Sequence, residues 1–338
     1  MKHAMFLPSG PAPRMIEWAR KIESAGFDSI WQGEFVNSAL IPLAAVAPST
    51  SKIKLGAGVV LAFTHSPVML TFAALDLDYL SEGRFILGLG VAHPNRNNNW
   101  YGGHDAGKPV SQMREYLQLM RLITEKSAGG GPIEFQGEYY HVRARDFTPR
   151  RTPQPRPRFP IYVAGVKPKM AQLSGELADG LIGNPMFSPR HVRENVVPAV
   201  AAGLSISNRR RSEFEILGQC FTVIDNDLAT AYRVAARTFL FSIRARIYDD
   251  IMTAEGFGNV LEEVRALQKS GKPDDALDKI PREMVDAFAA VGPIDRVRER
   301  LKAREGLLDT VILAVPSTQT SADEQDHYRA KILDAFAS

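Results

Sequence analysis

One pattern limits what this chain can fold into. A short apolar run, a turn and an amphipathic segment follow one another in that order, eight times over. His3–Leu7 reads as a strand stopped by Pro8–Ser9–Gly10–Pro11, and Met15, Trp18, Ala19 and Ile22 then recur at helical spacing before Gly26. Phe27–Trp31 is the second strand, Ile53–Phe63 the third and Arg84–Leu89 the fourth. Ser66–Pro67 starts a helix whose inner face is predicted to carry Val68, Phe72, Leu75 and Tyr79. The alternation pauses at Ile133–Val142, which reads as a hairpin turning at Gln136–Gly137, and at a basic, proline-rich stretch up to Pro160. Strands at Ile161–Ala164, Gly180–Ile182, Glu215–Ile224 and Thr310–Val315 complete eight, with extra helices expected in 243–290.

Strict strand–helix alternation implies a parallel sheet, and eight units imply a closed (β/α)8 TIM barrel with insertions. An open doubly wound sheet would want a glycine-rich turn after the first strand, whereas Pro8 and Pro11 there remove backbone donors. A length of 338 residues suits one such barrel, so residues 1–338 are expected to be a single domain. At 45% hydrophobic and 23% charged residues, the chain has the composition of a well-packed core.

The charge balance excludes some functions. With 41 Lys+Arg against 38 Asp+Glu the formal charge is +3, too small to argue for a nucleic-acid surface. The single cysteine, Cys220, excludes an internal disulfide and a cysteine-based zinc site. The apolar run Val59–Phe63 is far too short to span a bilayer, and Met1–Lys2–His3 leads into no secretory core, so a cytoplasmic protein without membrane or nucleic-acid partners is expected.

In a barrel, ligands bind at the C-terminal strand ends. The residues following the predicted strands include Pro8, Glu34–Phe35, Thr64–His65, Gly90, His93, Gly165–Lys167 and Gly183–Asn184. They hold no Ser/His/Asp nucleophile set and no cluster of carboxylates for a metal, so the chemistry is expected to come from a cofactor acting on a small-molecule substrate. Gly165–Val166–Lys167–Pro168–Lys169 begins a helix just after a strand. Its N–H groups and dipole, with two lysines, suit a phosphate, the alternative being an ordinary helix start with solvated lysines. Gly58 inside a buried strand marks either close strand packing or a place where backbone passes near a ligand.

Several stretches, in order, resemble the luciferase-like monooxygenase superfamily, and within it the branch that uses coenzyme F420. They are Ala25–Trp31, Ile53–Gly56 with Ser66–Pro67, Ser81–Phe85 with Leu87–Gly90, Pro160–Gly165 with Gly175–Gly180, and Asp286–Phe288 with Val291–Gly292. The resemblance implies coenzyme F420, or FMN as the alternative, lying across the barrel mouth. It implies a non-prolyl cis peptide at Gly58–Val59 behind the ring, and the cofactor phosphate at Gly165, Val166, Lys167 and Lys169, with Pro8 and Gly90 also lining the cofactor. It also implies a homodimer, and it suggests the arginines between 143 and 158 as partners for an acidic cofactor tail. Sugar-phosphate dehydrogenases of this branch carry an Asp-His pair after strand two, where this chain reads Glu34–Phe35. Glu34 and His93 are therefore the catalytic acid–base candidates, and residues 95–101 a substrate loop with Trp100 and Tyr101 as its lid. The expected activity is hydride transfer between deazaflavin C5 and a small organic molecule. The alternatives are an FMN-dependent, oxygen-using monooxygenase and a cofactor-binding homologue without catalysis.

Overall fold

In the computed structural model all residues are described except His93, Arg151 and Ser338, with Pro94 and Asn95 described by backbone alone. The strands are β1 (Lys2–Phe6), β2 (Ser29–Gln32), β3 (Lys54–Leu61), β4 (Phe85–Gly90), β5 (Ile133–Gln136), β6 (His141–Ala144), β7 (Ile161–Ala164), β8 (Gly180–Ile182), β9 (Glu215–Ile224), β10 (Ala290–Gly292) and β11 (Thr310–Ala314). Eight of them pair in parallel in the cyclic order β1–β2–β3–β4–β7–β8–β9–β11 and back to β1. This is the closed (β/α)8 barrel that the alternation predicts.

Side-chain alternation divides the strands into two faces. Met5, Ile30, Leu55, Leu87, Val163, Ile216 and Val311 pack outward beneath the helices. Ala4, Trp31, Ile86, Tyr162, Ile182, Leu217 and Ile312 fill the barrel itself. Trp31 is the largest of these, and Gly56 and Gly58 make room for it: a Cβ on either would lie 2.3 Å and 2.8 Å from its ring. Near the N-terminal end, Glu215 accepts hydrogen bonds from the hydroxyls of Tyr162 (2.7 Å) and Thr310. Burial and the neighbouring carboxylate push the Tyr162 hydroxyl well above its ordinary pKa, so it stays a donor.

Several expectations are corrected in detail. The hairpin pairs Gln136 with His141, so its turn is Gly137–Tyr140 and not Gln136–Gly137. It turns there because Glu115 accepts the backbone N–H groups of Glu138 (2.7 Å), Tyr139 (2.9 Å) and Tyr140 (3.2 Å). The helix Pro67–Leu80 buries Leu70, Thr71, Ala74, Leu75, Leu77 and Asp78 toward the core. Phe72 instead stacks on Phe147 beside the hairpin, and Tyr79 is exposed. The hairpin makes that side of the helix a second buried face. The predicted loop 95–101 contains a short helix, Pro94–Asn99. Strand β10, which extends β9 through Ala290↔Thr222, and the helix Ile294–Lys302 are additional to the eight predicted units.

Of the arginines between 143 and 158, Arg151 lies outside the described residues, and Arg156 and Arg158 do not reach the mouth. Arg156 binds Asp78 and the carbonyl of Phe85, the first residue of β4, and Arg158 binds Asp179, which precedes β8. Both sit at the N-terminal strand ends, opposite the mouth, and are already paired. Among the described residues no helix is long and apolar enough to cross a membrane.

Candidate active site

The mouth has a floor and two walls. The floor begins where β3 leaves its register with β4 between Ala57 and Val60. The Gly58–Val59 peptide is cis, as the resemblance implies. The Val59 side chain lies over Gly90 at the end of β4: a Cβ added to Gly90 would meet Val59 Cγ2 at 2.5 Å and Ala164 Cβ at 3.6 Å. Val59, Gly90 and Ala164 thus form a low apolar surface above the packed barrel interior. Pro8 is buried just past β1.

The first wall comes from β2, β3 and β4. Glu34 follows β2, and its backbone N–H donates to the Val59 carbonyl at 3.0 Å, which ties this wall to the floor. Its side chain is 14% exposed, and Oε2 accepts the Leu61 N–H at 2.8 Å. The same oxygen lies 2.9 Å from Nε2 of His65. The His65 carbonyl accepts a hydrogen bond from the hydroxyl of buried Tyr116 at 3.2 Å. Burial raises the Tyr116 pKa, so this hydroxyl also remains a donor.

The segment after β4 closes over this wall. Tyr101 donates to the Phe35 carbonyl at 2.9 Å, and the His104 N–H to the Phe63 carbonyl at 3.0 Å. Arg96 stacks between the rings of Phe35 (4.4 Å) and Trp100 (5.1 Å), and Trp100 remains 62% exposed. His93, the second acid–base candidate, lies outside the described residues.

The second wall comes from β7 and β8. The helix Pro168–Leu177 begins after Lys167 with no side-chain cap. Gly165 is buried against the start of this helix, with its N–H on the Ile182 carbonyl at 3.3 Å. Val166 is half-buried, and Lys167 and Lys169 are exposed, with Lys167 3.3 Å from Asp250. Across from them, Asn184 turns its Oδ1 to the Met186 N–H at 2.7 Å. Its amide nitrogen is buried without a protein partner, as is Nε2 of His191. Burial lowers the His191 pKa, against a hydrogen bond to the Val166 backbone that raises it. Two orphaned buried polar atoms thus lie beside the predicted phosphate site, Asn184 Nδ2 in the loop after β8 and His191 Nε2 at the end of the helix Pro189–His191. This is the situation that a bound anion or water relieves.

The structure therefore brings together Pro8, Glu34, Gly58, Val59, Gly90 and the Gly165–Lys169 loop around one mouth. It adds His65, Asn184 and His191. His65 and Asn184 follow strands, a position that can be read in advance. The 2.9 Å pairing of His65 with Glu34 spans 31 residues and exists only once β2 and β3 lie side by side. No group of three or more His, Cys, Asp or Glu able to hold a metal occurs among the described residues.

A closed parallel eight-stranded barrel with a carboxylate–imidazole pair and an uncapped helix start at its mouth has its candidate site where (β/α)8 enzymes carry theirs, at the C-terminal strand ends. The sequence model of the luciferase-like monooxygenase family matches residues 2–310, and the chain belongs to that family. A Mycobacterium tuberculosis protein bearing the name of a coenzyme F420-dependent oxidoreductase is 31% identical over 314 residues, covering 87% of this chain and 88% of the relative. The 5,10-methylenetetrahydromethanopterin reductase of Methanopyrus kandleri is 26% identical over 320 residues, covering 88% of each. The solved structure of the coenzyme F420-dependent tetrahydromethanopterin reductase from that organism superposes with a TM-score of 0.78 at 21% identity, covering 100% of this chain and 97% of the other.

Proposed function

We propose that this protein is a coenzyme F420-dependent oxidoreductase, one barrel domain throughout, passing a hydride between deazaflavin C5 and a small organic substrate. The observation that carries the reading is the arrangement of the mouth. A flat apolar floor of Val59, Gly90 and Ala164 has a carboxylate–imidazole pair on one side. On the other side is a helix start with two lysines and an unpartnered buried amide. A planar ring with a phosphate-bearing side chain fits such a surface. The named relatives and the tetrahydromethanopterin reductase fold support F420 as that group.

The bound deazaflavin supplies the hydride donor or acceptor. The protein's residues do the rest. Val59 and Gly90 beneath it would support the ring. The helix N-terminus at Pro168, Lys167, Lys169 and Asn184 Nδ2 would hold the phosphate. Glu34 stands at the floor as an acid–base group. The loop from Trp100 to His104 excludes water from the β2–β4 side.

The test is a titration of cofactor-free protein with oxidised F420, reduced F420 and FMN, followed by absorbance and by turnover. Tight F420 binding with substrate-dependent change at the deazaflavin band is expected. FMN binding alone with substrate-dependent oxygen uptake would replace the reading by a monooxygenase. Binding of F420 with no turnover of any substrate would leave a carrier or sensor instead.

A further inference from the structure

We infer that a cavity beside the mouth, between the helices Leu228–Arg244 and Gly258–Lys269 and the loop after β11, binds a chain of carboxylates linked by amides. It lies apart from the apolar floor and from the Glu34–His65 pair.

The cavity encloses about 780 Å³, within the range of small-molecule clefts. Arg244, Arg246, Arg265 and Lys269 line it, with no Asp or Glu among the lining residues. Their charges are not equally available. Arg265 is already engaged: it donates to the Ile243 carbonyl through Nε (2.9 Å) and Nη2 (2.7 Å), and it pairs with Asp249 and Glu262. Arg246 reaches the same two carboxylates only at 3.8 Å and 3.5 Å. The side chains of Arg244 and Lys269 make no ion pair or hydrogen bond with the described residues. Each stands in the last turn of its helix, where a cation is favourable in its own right. A helix end accounts for either one alone. It does not account for both lining one cavity that holds no carboxylate.

The rest of the lining selects among anions. Gln268 donates from Nε2 to the Leu240 carbonyl at 2.9 Å, and its Oε1 is buried with no protein partner. An unpaired buried acceptor is relieved by a donor, which an amide N–H supplies and a fully ionised phosphate chain does not. Phe241, 53% exposed, offers an apolar surface to the methylene groups between carboxylates. Cations on two separate helices match charges spaced along a chain better than one compact anion.

The position also matters. Thr318 and Gln319 form the third side from the loop after β11, which puts the cavity at the C-terminal end of the barrel. Gln319 is held there with its carbonyl on Arg237 Nη1 at 3.3 Å. The start of the helix Asp249–Ala254 links the cavity to the predicted phosphate loop: Asp249 pairs with Arg265, and Asp250 lies 3.3 Å from Lys167. Open positive charge on the mouth side is thus found here, whereas Arg156 and Arg158 are paired at the opposite end. Such a chain has two sources, the acidic tail of a cofactor seated in the mouth or a separate acidic peptide. The first source rests on the function proposed above, and the second does not.

The test uses triglutamate, titrated into cofactor-free protein and followed by amide NMR shifts. Saturable shifts at Phe241, Gly271 and Thr318 are expected, weakening as salt is raised, with tripolyphosphate binding less tightly. Arg244→Gln combined with Lys269→Gln should weaken triglutamate by about 10-fold. Arg143→Gln, on the hairpin, should leave it unchanged. Both cavity side chains are exposed, so circular dichroism of the double variant should match the wild type. The source is read by comparing F420 that carries its glutamate tail with F420 cut back to its phosphate. A cofactor tail in the cavity makes the tailed form bind about 10-fold tighter, and the double variant erases the difference. A separate peptide leaves the two forms equal, and triglutamate still shifts the same amides in cofactor-saturated protein.

Three results overturn the inference: no saturable shift with triglutamate together with equal binding of both cofactor forms, tripolyphosphate bound as tightly as triglutamate, or a double variant that binds like the wild type. Failure of F420 to bind at all is a different result. It removes the proposed function, and the triglutamate titration still decides this site.

Discussion

Gly90 shows how little room the floor allows. Its missing side chain is what lets Val59 lie flat, because a Cβ there would come within 2.5 Å of Val59 Cγ2 and cannot be absorbed by a flexible chain end. Gly90→Ala should therefore raise Val59 into the space above the floor. Overpacking of this kind costs roughly 1–3 kcal/mol, which is about a 5- to 150-fold loss when it falls on a bound ligand. Cofactor titration of the variant should show a weaker Kd, with β-strand content by circular dichroism unchanged. Arg156 is the counterpart at the opposite end of the barrel. Its guanidinium meets both oxygens of Asp78, whose side chain is 1% exposed. Arg156→Ala would leave that carboxylate buried and unpaired, at a cost of about 3–5 kcal/mol. Denaturant titration should show this loss, and Asp78→Asn in the same chain should recover part of it, because the uncompensated charge is then gone.

At the level of elements, the strands and most helices were legible because each has a local cause. Ser66 accepts the Met69 N–H at 3.5 Å with Pro67 in the first turn, and Met15, Trp18, Ala19 and Ile22 are the buried stripe of the first helix. The Gly165–Lys169 helix start was legible for the same reason. What the sequence concealed are contacts between distant segments. Tyr79 follows the periodicity of its helix but is exposed, because the hairpin and the barrel claim other faces. Arg156 and Arg158 look free in a basic stretch, but their partners Asp78 and Asp179 are 78 and 21 residues away. Another long-range tie holds the segment before β3. Glu23, at the end of the first helix, accepts the backbone N–H groups of Ser51 (2.8 Å), Lys52 (2.7 Å) and Ile53 (2.9 Å). Burial pushes its carboxyl up, but those donors and Arg84 outweigh burial and hold it below its ordinary value of 4.5. A folded-state pKa below the unfolded one contributes stability above the unfolded value, and that stability is lost as pH falls through the folded value. Glu23→Ala should cost about 2 kcal/mol at pH 7 in urea unfolding. The difference from wild type should shrink progressively below about pH 4.5; a gap that stays constant down to pH 3 would rule out the carboxylate as its source.

The barrel carries a helical insert beside one wall of its mouth. The insert runs through helices Asp249–Ala254, Gly258–Lys269, Pro273–Asp278 and Arg282–Phe288, and its Met252, Val264, Met284 and Phe288 join the apolar cluster that also fills the barrel interior. It meets the second wall of the mouth through polar contacts: Lys167 with Asp250, Ser188 with Glu255, and Arg190 Nη1 with the Ala254 carbonyl at 2.8 Å. The Lys167–Asp250 pair is exposed on both sides, with 61% and 83% of the side chains accessible, and exposed pairs of this kind hold little. The strands are tied by continuous parallel ladders and buried on both faces. Amides of 249–256 should therefore exchange with solvent through local openings well before those of β1, β4 and β11. If coenzyme F420 seats its phosphate on the Gly165–Lys169 loop, opening of the adjoining insert must release it. Exchange there should then slow by the factor 1 + [L]/Kd, about 100-fold at a ligand concentration of 100 times Kd. A cofactor held only by the β2–β4 wall would leave exchange at 249–256 unchanged while protecting 58–65. Comparing the two segments with and without the cofactor thus locates its phosphate end independently of any measurement of turnover.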